Sequence, residues 1–178
     1  MNEAVLEAIR RRRVVRSMTG APVDRADLER VLEAARFAPN AGNRRLQRFV
    51  AVQDASTLRV LRMVSPGMLQ RPSAAIVVCV DCARAEQLGF APGSRGLYVD
   101  VGTAAATMLL AASAVGLGAG PVTSFSRAAV AEVLNLPPGW SPELIVCLGH
   151  PAAEQPPPMG PRRPLAWQEL THWERFPA

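Results

Sequence analysis

The chain has 178 residues, of which 49% are apolar and 20% charged, and this composition excludes a disordered protein and is typical of one globular domain. The formal net charge is +5 at pH 7 and the basic side chains are arginines, which fits either an anionic ligand or a bias in composition. Only 5% of the residues are aromatic, which leaves few rings on which nucleic-acid bases could stack.

Hydrophobic periodicity predicts nine helices and strands along the first 150 residues. Apolar residues three and four apart indicate the helices, and alternating or continuous β-branched runs indicate the strands. In chain order we predict a helix capped by Asn2, a helix from Asp24 to before Pro39, a strand at 48–52, a helix capped by Ser56, a strand at 74–80, a helix at 97–115, a strand at 119–123, a helix capped by Ser126 and a strand at 144–148. Because helices and strands mix without strict alternation, the class is α+β or a three-layer αβα sandwich.

The longest uncharged stretch covers residues 101–126 and is long enough to cross a bilayer. It is built of Ala, Gly, Thr and Ser, and a glycine-rich break at 116–121 interrupts it. No second apolar span accompanies it. We therefore interpret its helix as a core helix that is buried on all sides, and we predict no membrane association.

The composition changes after Gly149, where residues 151–164 contain six prolines in fourteen positions. Such a run cannot form a helix or the interior of a sheet, so it predicts an extended arm. Residues 165–173 follow as a short amphipathic segment. We divide the chain into a core at 1–150 and an arm at 151–178 of the same domain, and the arm lies either on a partner subunit or on its own chain.

Arginines dominate residues 10–16, directly after the first helix. Arg12, Arg13 and Arg16 are candidate phosphate ligands, because a guanidinium offers a fixed fork of donors that matches a phosphate. The alternative is a solvated basic helix end, which is favourable through the helix dipole alone.

A second polar motif ends the next helix, where Asn40 and Asn43 flank a tight turn and Arg44 and Arg45 follow. An Asn side chain carries a donor and an acceptor, as recognition of the edge of a polar ring requires. The alternative is a turn that stops the helix, in which Asn and Gly serve backbone geometry. Arg44 and Arg45 add further donors next to this turn.

The glycines at 116, 118 and 120 resemble a dinucleotide-binding turn only superficially. They follow a helix, whereas the Rossmann turn follows a strand and opens a helix. We reject a Rossmann site and expect these glycines to let a chain pass close beneath a flat ligand, or to end the helix.

The three cysteines and two histidines predict neither a metal site nor a nucleophile. Cys79 and Cys82 form a C-x-x-C pair, and Cys147 and His150 a C-x-x-H pair, but Cys79 and Cys147 lie in apolar strand runs where a buried thiol packs well. No Ser or Cys stands in a nucleophile motif with a base. A cofactor must then supply the reactive group. Unpaired cysteines and the absence of a secretory segment predict the cytoplasm.

Taken in order, the motifs resemble the FMN-dependent nitroreductase family, of which this chain would be a short member. The likeness extends from Ala8 to about Phe176. It rests on the spacing of segments 12–16, 38–49, 100–102, 116–125 and 148–151.

The resemblance implies a flavin-dependent oxidoreductase that transfers a hydride from NAD(P)H through FMN to a small nitroaromatic or quinone. It also implies a nitroreductase-like αβα sandwich whose central sheet is mixed or antiparallel, and a homodimer whose arms wrap the partner. Thr123 and Ser124 are the implied catalytic residues near the flavin N5, and Asn43 would approach the flavin of the partner subunit. From their charge and location, Arg44 or Arg45 would stabilise the reduced anionic flavin or attract the phosphates of NADPH. The implied cofactor-binding residues are Arg12, Arg13, Val14, Arg16, Asn43, Arg45, Pro121, Val122, Thr123, Ser124, Arg162 and Arg163.

The chain departs from the family pattern at three positions. Val14 stands where Ser is usual, residues 45–47 replace Gln-Pro-Trp, and Thr123 replaces a common Glu. Two alternatives therefore stay open. One is a flavin-binding member without redox activity, and the other is a nucleic-acid-binding module that uses the arginine clusters.

Overall fold

A computed structural model describes residues 3–157 and 165–176. The described chain contains six α-helices, four strands and two short 3-10 turns. In chain order these are α1 (Glu3–Arg11), α2 (Arg25–Ala35), a 3-10 turn (Ala41–Asn43), β1 (Gln47–Val52), α3 (Ala55–Met63), β2 (Ala74–Asp81), α4 (Cys82–Gln87), α5 (Arg95–Ala114), β3 (Gly118–Val122), α6 (Arg127–Val133), β4 (Trp140–Gly149) and a 3-10 turn (Trp167–Leu170).

The four strands form one antiparallel sheet in the order β1-β2-β4-β3. The central strand β2 is apolar along seven residues, and its side chains alternate between two cores. Ile76 and Val78 face one core, and Val77 and Cys79 face the other. A strand that is buried on both faces requires a layer of helices on each side of the sheet.

Helices supply those two layers. Val31 of α2 and Met108 of α5 are fully buried against one face, and Leu61 of α3 and Val130 of α6 are fully buried against the other. The predicted α+β class and three-layer arrangement are confirmed, and the sheet is antiparallel.

The nine predicted elements are present, and the structure adds one helix. Strand β4 begins at Trp140, four residues before the predicted start, and strand β3 ends at Val122, so Thr123 lies in the following loop. The added helix is α4, which the sequence analysis left without an element because its six residues show no apolar period. Asp81 caps it by accepting a hydrogen bond from the Arg84 backbone N–H at 2.8 Å.

The prediction that Ser56 caps α3 is wrong. Asp54 occupies the cap, and its Oδ2 accepts hydrogen bonds at 2.8 Å from the backbone N–H and the hydroxyl of Thr57. The Ser56 hydroxyl also donates to this carboxylate. Ser126 caps α6 as predicted.

The remaining predicted caps differ in outcome. Asp24 occupies the N-cap position before α2, as predicted, but its side chain makes no capping hydrogen bond. Asn2, which was predicted to cap α1, lies outside the described residues.

The expectation that α5 is buried on all sides is also wrong. One face of the helix, including Val101 and Met108, packs on the sheet. The other face is open, with Tyr98 at 47% and Val99 at 63% exposure. By length and composition α5 resembles a membrane-spanning helix, but its buried face lies against the sheet.

The segment after α1 lies beside strand β3. Val14 forms a parallel bridge with Ala119, and the Val15 backbone N–H donates to the Ala119 carbonyl at 2.9 Å. A Cβ on Gly118 would lie 2.7 Å from Val15 Cγ1, and a Cβ on Gly120 would lie 2.9 Å from the Val15 carbonyl oxygen. Gly118 and Gly120 therefore let a chain pass closely, and that chain is the arginine-bearing segment. The flat ligand that was expected above such a chain stays a prediction.

This close approach predicts a cost for any side chain on the glycines. We expect Gly118→Ala and Gly120→Ala each to lower the free energy of unfolding by about 1–3 kcal/mol, because the added methyl group overpacks Val15. Chemical denaturation measures the change. Gly96→Ala is the matched control, since nothing lies closer than 3.8 Å to a Cβ there, and alanine in helix α5 is expected to be neutral or stabilising. Equal stability of Gly120→Ala and Gly96→Ala would contradict the packing described.

The Asp54 cap predicts a pH dependence of stability. Hydrogen bonds from Ser56 and Thr57 lower the pKa of Asp54 from 3.8 to about 2. A depressed pKa means that the cap stabilises the fold above about pH 3.8 and that this contribution is lost as the pH falls from 3.8 to 2. We expect Asp54→Ala to lower the melting temperature at pH 7 but not at pH 2. Asp54→Asn keeps a cap without a titrating group, so a pH-dependent difference between wild type and this variant is also expected. A constant difference between wild type and Asp54→Ala from pH 7 to pH 2 would exclude the titration.

Candidate functional site

Arg12 carries the clearest sign of a missing partner. Its Nη1 atom is buried and has no hydrogen-bond acceptor among the described residues. Arg13 differs, because its Nη1 donates to the carbonyl oxygens of Arg10 at 2.5 Å and Arg12 at 2.9 Å. The Arg13 guanidinium thus binds carbonyl groups at the carboxyl end of α1, as expected for a basic residue that interacts with the helix dipole. Arg12 keeps a donor available for a ligand.

Arg16 is held in place through its backbone by the start of the arm. Gln155 Oε1 accepts hydrogen bonds from the backbone N–H groups of Arg16 at 3.0 Å and Ser17 at 3.1 Å. Gln155 Nε2 donates to the Ser17 carbonyl at 2.8 Å. No ion pair engages the Arg16 side chain within the described chain. The arm therefore fixes the arginine segment on the side away from β3.

Residues 121–124 close strand β3 and enter a loop. Pro121, Thr123 and Ser124 are exposed, but the Val122 side chain is buried in the second core, which leaves only its backbone for a ligand. The Gly67 backbone N–H donates to the Ser124 carbonyl at 2.9 Å, and a Cβ on Gly67 would lie 2.9 Å from Ser124 Cβ. The loop is thus pinned to the chain that follows α3.

Gln70 is a polar residue of this site that the sequence analysis missed. Its side chain is only 3% exposed and lies against Gly120, with Nε2 at 3.5 Å from the Val15 carbonyl oxygen. Its Oε1 atom is buried without a hydrogen-bond donor. A glutamine in a loop gives no sequence signal of burial, so only the packing against β3 identifies it.

The turn after α2 has an unusual backbone. Gly42, Asn43 and Arg45 have φ angles of 59°, 53° and 52°, a left-handed conformation that costs about 1–3 kcal/mol for a residue other than glycine. Asp100 of α5, at 6% exposure, holds the turn by accepting the Ala41 backbone N–H at 3.0 Å on each of its carboxylate oxygens.

The polar side chains of this turn are partly engaged with one another. Asn40 Oδ1 accepts the Arg45 backbone N–H at 2.9 Å, and Asn43 Oδ1 lies 3.4 Å from Arg45 Nε. Arg44 turns away, donating to the Leu88 carbonyl at 3.1 Å. Of the two arginines considered for a cofactor or for NADPH phosphates, Arg45 stays with the turn, and the Arg44 guanidinium is bound elsewhere.

The predicted site residues thus form two groups in one chain. The first combines the arginine segment at 12–16 with β3 and residues 121–124, and Gln70 joins it. The second is the turn at 40–45. No hydrogen bond or ion pair joins the two groups within the described chain. Arg162 and Arg163, which were predicted to close over the phosphate, lie outside the described residues.

Cys79 and Cys147 are buried in the sheet, and Cys82 is partly exposed. Burial raises the pKa of Cys147 to about 12, and burial followed by the charge of Glu143 raises the pKa of Cys79 to about 12. Both thiols stay protonated at neutral pH, which disfavours the thiolate that zinc requires.

His150 Nε2 lies 3.1 Å from the Pro22 carbonyl oxygen. This contact connects the end of β4 to the chain before α2.

Two buried polar atoms of the first group lack hydrogen-bond partners, and their chemistry suits FMN. A buried guanidinium N–H without an acceptor, on Arg12, suits a phosphate oxygen. A buried amide oxygen without a donor, on Gln70, suits a ring N–H. An unmet buried polar atom costs about 1–3 kcal/mol, so each of these atoms is more stable with a ligand than without one.

Comparison with known proteins identifies the family of the chain. The profile of the nitroreductase family matches residues 9–80 and 65–150. A protein of Archaeoglobus fulgidus with the provisional name NADH dehydrogenase/NAD(P)H nitroreductase is 31% identical over 159 residues, covering 86% of this chain and 88% of the relative. The 5,6-dimethylbenzimidazole synthase of Rhodobacter capsulatus is 30% identical over 201 residues, covering 97% and 96%.

A solved structure shows the same fold. The crystal structure of a nitroreductase family protein from Clostridium difficile 630 superposes with a TM-score of 0.80 at 26% identity, covering 96% of this chain and 98% of that one. The profile alone matches more than half of the chain. The chain belongs to the nitroreductase family.

Proposed function

We propose that this protein is an FMN-dependent oxidoreductase that transfers a hydride from NAD(P)H to a small nitroaromatic or quinone acceptor in the cytoplasm. The observation that carries the proposal is the buried, unpartnered Nη1 of Arg12 on a segment bound along β3, the strand that leads to Thr123 and Ser124. Family membership supports the class of reaction, and the name of the Archaeoglobus relative supports NAD(P)H as the donor.

Each residue has a separate task in this proposal. FMN would supply the redox chemistry when bound. Arg12 and Arg16 bind the phosphate, and Val14 keeps their segment on β3. Gln70 accepts a ring N–H, and the hydroxyl groups of Thr123 and Ser124 donate hydrogen bonds near the reactive edge of the ring.

We propose a homodimer because one chain leaves the site incomplete. The turn with Asn43 and Arg45 makes no hydrogen bond or ion pair with the arginine segment in the described chain, and in this proposal it approaches the flavin bound by a second copy. The open face of α5 offers a surface for that copy. The arm adds apolar side chains that are more than half exposed in the single chain, namely Leu165, Trp167, Leu170, Trp173 and Phe176. Exposed apolar patches of this kind are typical of protein interfaces.

The Rhodobacter relative gives a second candidate function. It is named 5,6-dimethylbenzimidazole synthase and matches nearly the full length of both chains. The same arginine segment and Gln70 would then bind the flavin, and the two functions differ in both substrate and product.

The decisive experiment follows the absorbance of the purified protein. We expect flavin bands that bleach on anaerobic addition of NADPH and return when menadione or nitrofurazone is added. Bound flavin that NAD(P)H does not bleach would indicate the redox-inactive alternative. Formation of 5,6-dimethylbenzimidazole, detected by mass spectrometry, would favour the second candidate. A preparation that stays colourless after incubation with excess FMN would overturn both.

Arg12 is predicted to contribute to flavin affinity. A hydrogen bond to a charged group contributes about 1.5–3 kcal/mol, so Arg12→Ala is expected to weaken FMN binding by about 10-fold to 100-fold. Quenching of flavin fluorescence measures the dissociation constant. Arg11→Ala is the control, because Arg11 is highly exposed and pairs with Glu7. Equal FMN affinity in the two variants would remove Arg12 from the site.

The arm is predicted to hold the dimer together. Trp167 and Trp173 contact each other edge to face, with ring centroids 6.3 Å apart, and are 59% and 70% exposed. We expect the double variant Trp167→Ala, Trp173→Ala to weaken dimerisation at least tenfold, because aromatic side chains dominate interface energies. Sedimentation equilibrium measures this. Met63→Ala, at an exposed apolar position on α3, controls for surface hydrophobicity. Unchanged dimerisation would indicate that the arm lies on its own chain.

A further inference from the structure

A cavity of about 450 Å³, which we call the α3 cavity, lies outside both groups of site residues. It is bounded by α3, the loop before β2 and the chain before α2. Ligand sites for small molecules commonly have volumes of about 300–1,000 Å³. The lining contains three arginines and no acidic residue. The lining residues are Gly20, Pro22, Gln53, Ala55, Leu58, Arg59, Arg62, Arg71, Pro72 and Ser73.

The three arginines converge from two elements and lack partners. Arg59 and Arg62 lie three residues apart on α3, and Arg71 comes from the loop before β2. None of the three side chains makes a hydrogen bond or an ion pair with the described residues. Three like charges around one cavity repel one another unless an anion joins them.

A second cavity, of about 420 Å³, offers a comparison. It is also lined by three arginines, but each of them is engaged. Arg36 pairs with Glu33 at 2.8 Å, Arg48 donates to backbone carbonyls at 2.8 and 2.9 Å, and Arg45 lies against Asn43. The arginines of the α3 cavity differ from these three by their free donors.

Ser73 adds an independent observation. Its hydroxyl oxygen is buried and has no hydrogen-bond partner in the described chain, although its backbone N–H donates to the Leu148 carbonyl at 3.0 Å. Leu58 and the two prolines give the cavity an apolar wall beside these polar groups. The three arginines, the buried hydroxyl group of Ser73 and the apolar wall together suit a phosphate group that is carried on a small organic molecule.

We infer that the α3 cavity is a second anion site that binds a phosphorylated small molecule, separate from the Arg12–Arg16 segment. Arg59, Arg62 and Arg71 hold the phosphate oxygens, and the Ser73 hydroxyl donates to one of them. The loop between α3 and β2 contributes to both sites, since Gln70 lies against β3 and the next residue, Arg71, lines the cavity.

Isothermal titration calorimetry tests the inference with inorganic pyrophosphate and AMP as probes. The protein is used as purified and again after saturation with FMN. We expect binding in both states, with Arg59→Ala, Arg62→Ala and Arg71→Ala each weakening it at least tenfold. Arg84→Ala removes one positive charge from exposed helix α4 and serves as the charge-matched control, with less than a twofold effect expected.

Several outcomes would overturn the site. Loss of pyrophosphate binding on saturation with FMN, or in Arg12→Ala, would show that the anion occupies the flavin site. Equal effects of Arg62→Ala and Arg84→Ala would show a diffuse charge effect, and no binding of either probe at low salt would show no site. A protein that binds no flavin but binds pyrophosphate through Arg62 would leave the inference standing while the proposed oxidoreductase function fails.

Ser73→Ala separates a ligand contact from a structural role. The hydroxyl has no partner in the described chain, so we expect its removal to leave the melting temperature unchanged or raise it. We expect the same variant to weaken AMP binding several-fold. Lower stability with unchanged AMP affinity would assign the hydroxyl to the fold and remove it from the site.

Discussion

The approach of the arginine segment to strand β3 is the contact on which the candidate site depends. Val15 lies so close to Gly118 and Gly120 that neither position has room for a Cβ. A single backbone hydrogen bond, from Val15 to Ala119, then sets the register of the segment along the strand. Because Arg12 and Arg16 flank this contact, their positions follow from backbone packing and not from flexible side chains.

The arm completes that arrangement from the opposite side. Gln155 makes three hydrogen bonds to the backbone of Arg16 and Ser17, and Pro151 bridges Met18. The beginning of the arm therefore belongs to the same structural unit as the arginines. This explains why an extended, proline-rich chain leaves the sheet at a fixed point, although it contains no helix or strand of its own at 151–157.

The sequence predicted the structure correctly where a pattern of residues is compatible with only one structure. The apolar run of β2 predicts a strand buried on both faces, and that prediction alone requires helices on each side of the sheet. Prediction failed where the same pattern is compatible with more than one structure. Gln70 looks like an ordinary loop glutamine, and only its packing on Gly120 shows that it is buried. Asp54 and Ser56 are both good capping residues, and the backbone geometry decided between them. The open face of α5 was read as core because an apolar helix face looks the same whether its own sheet or another surface covers it.

The turn at 40–45 has a costly backbone conformation that other residues of the chain hold in place. Left-handed conformations at Asn43 and Arg45 are costly, and the fold meets this cost with a buried carboxylate, since Asp100 binds the Ala41 N–H. Thr103 adds a hydrogen bond to the Pro39 carbonyl at 2.8 Å. Asp100 and Thr103 of α5 thus hold this strained turn, and no hydrogen bond or ion pair joins it to the arginine segment or to residues 121–124 within the described chain. Backbone strain that surrounding groups maintain is common at functional sites, which supports the proposal that Asn43 approaches the flavin of a second copy.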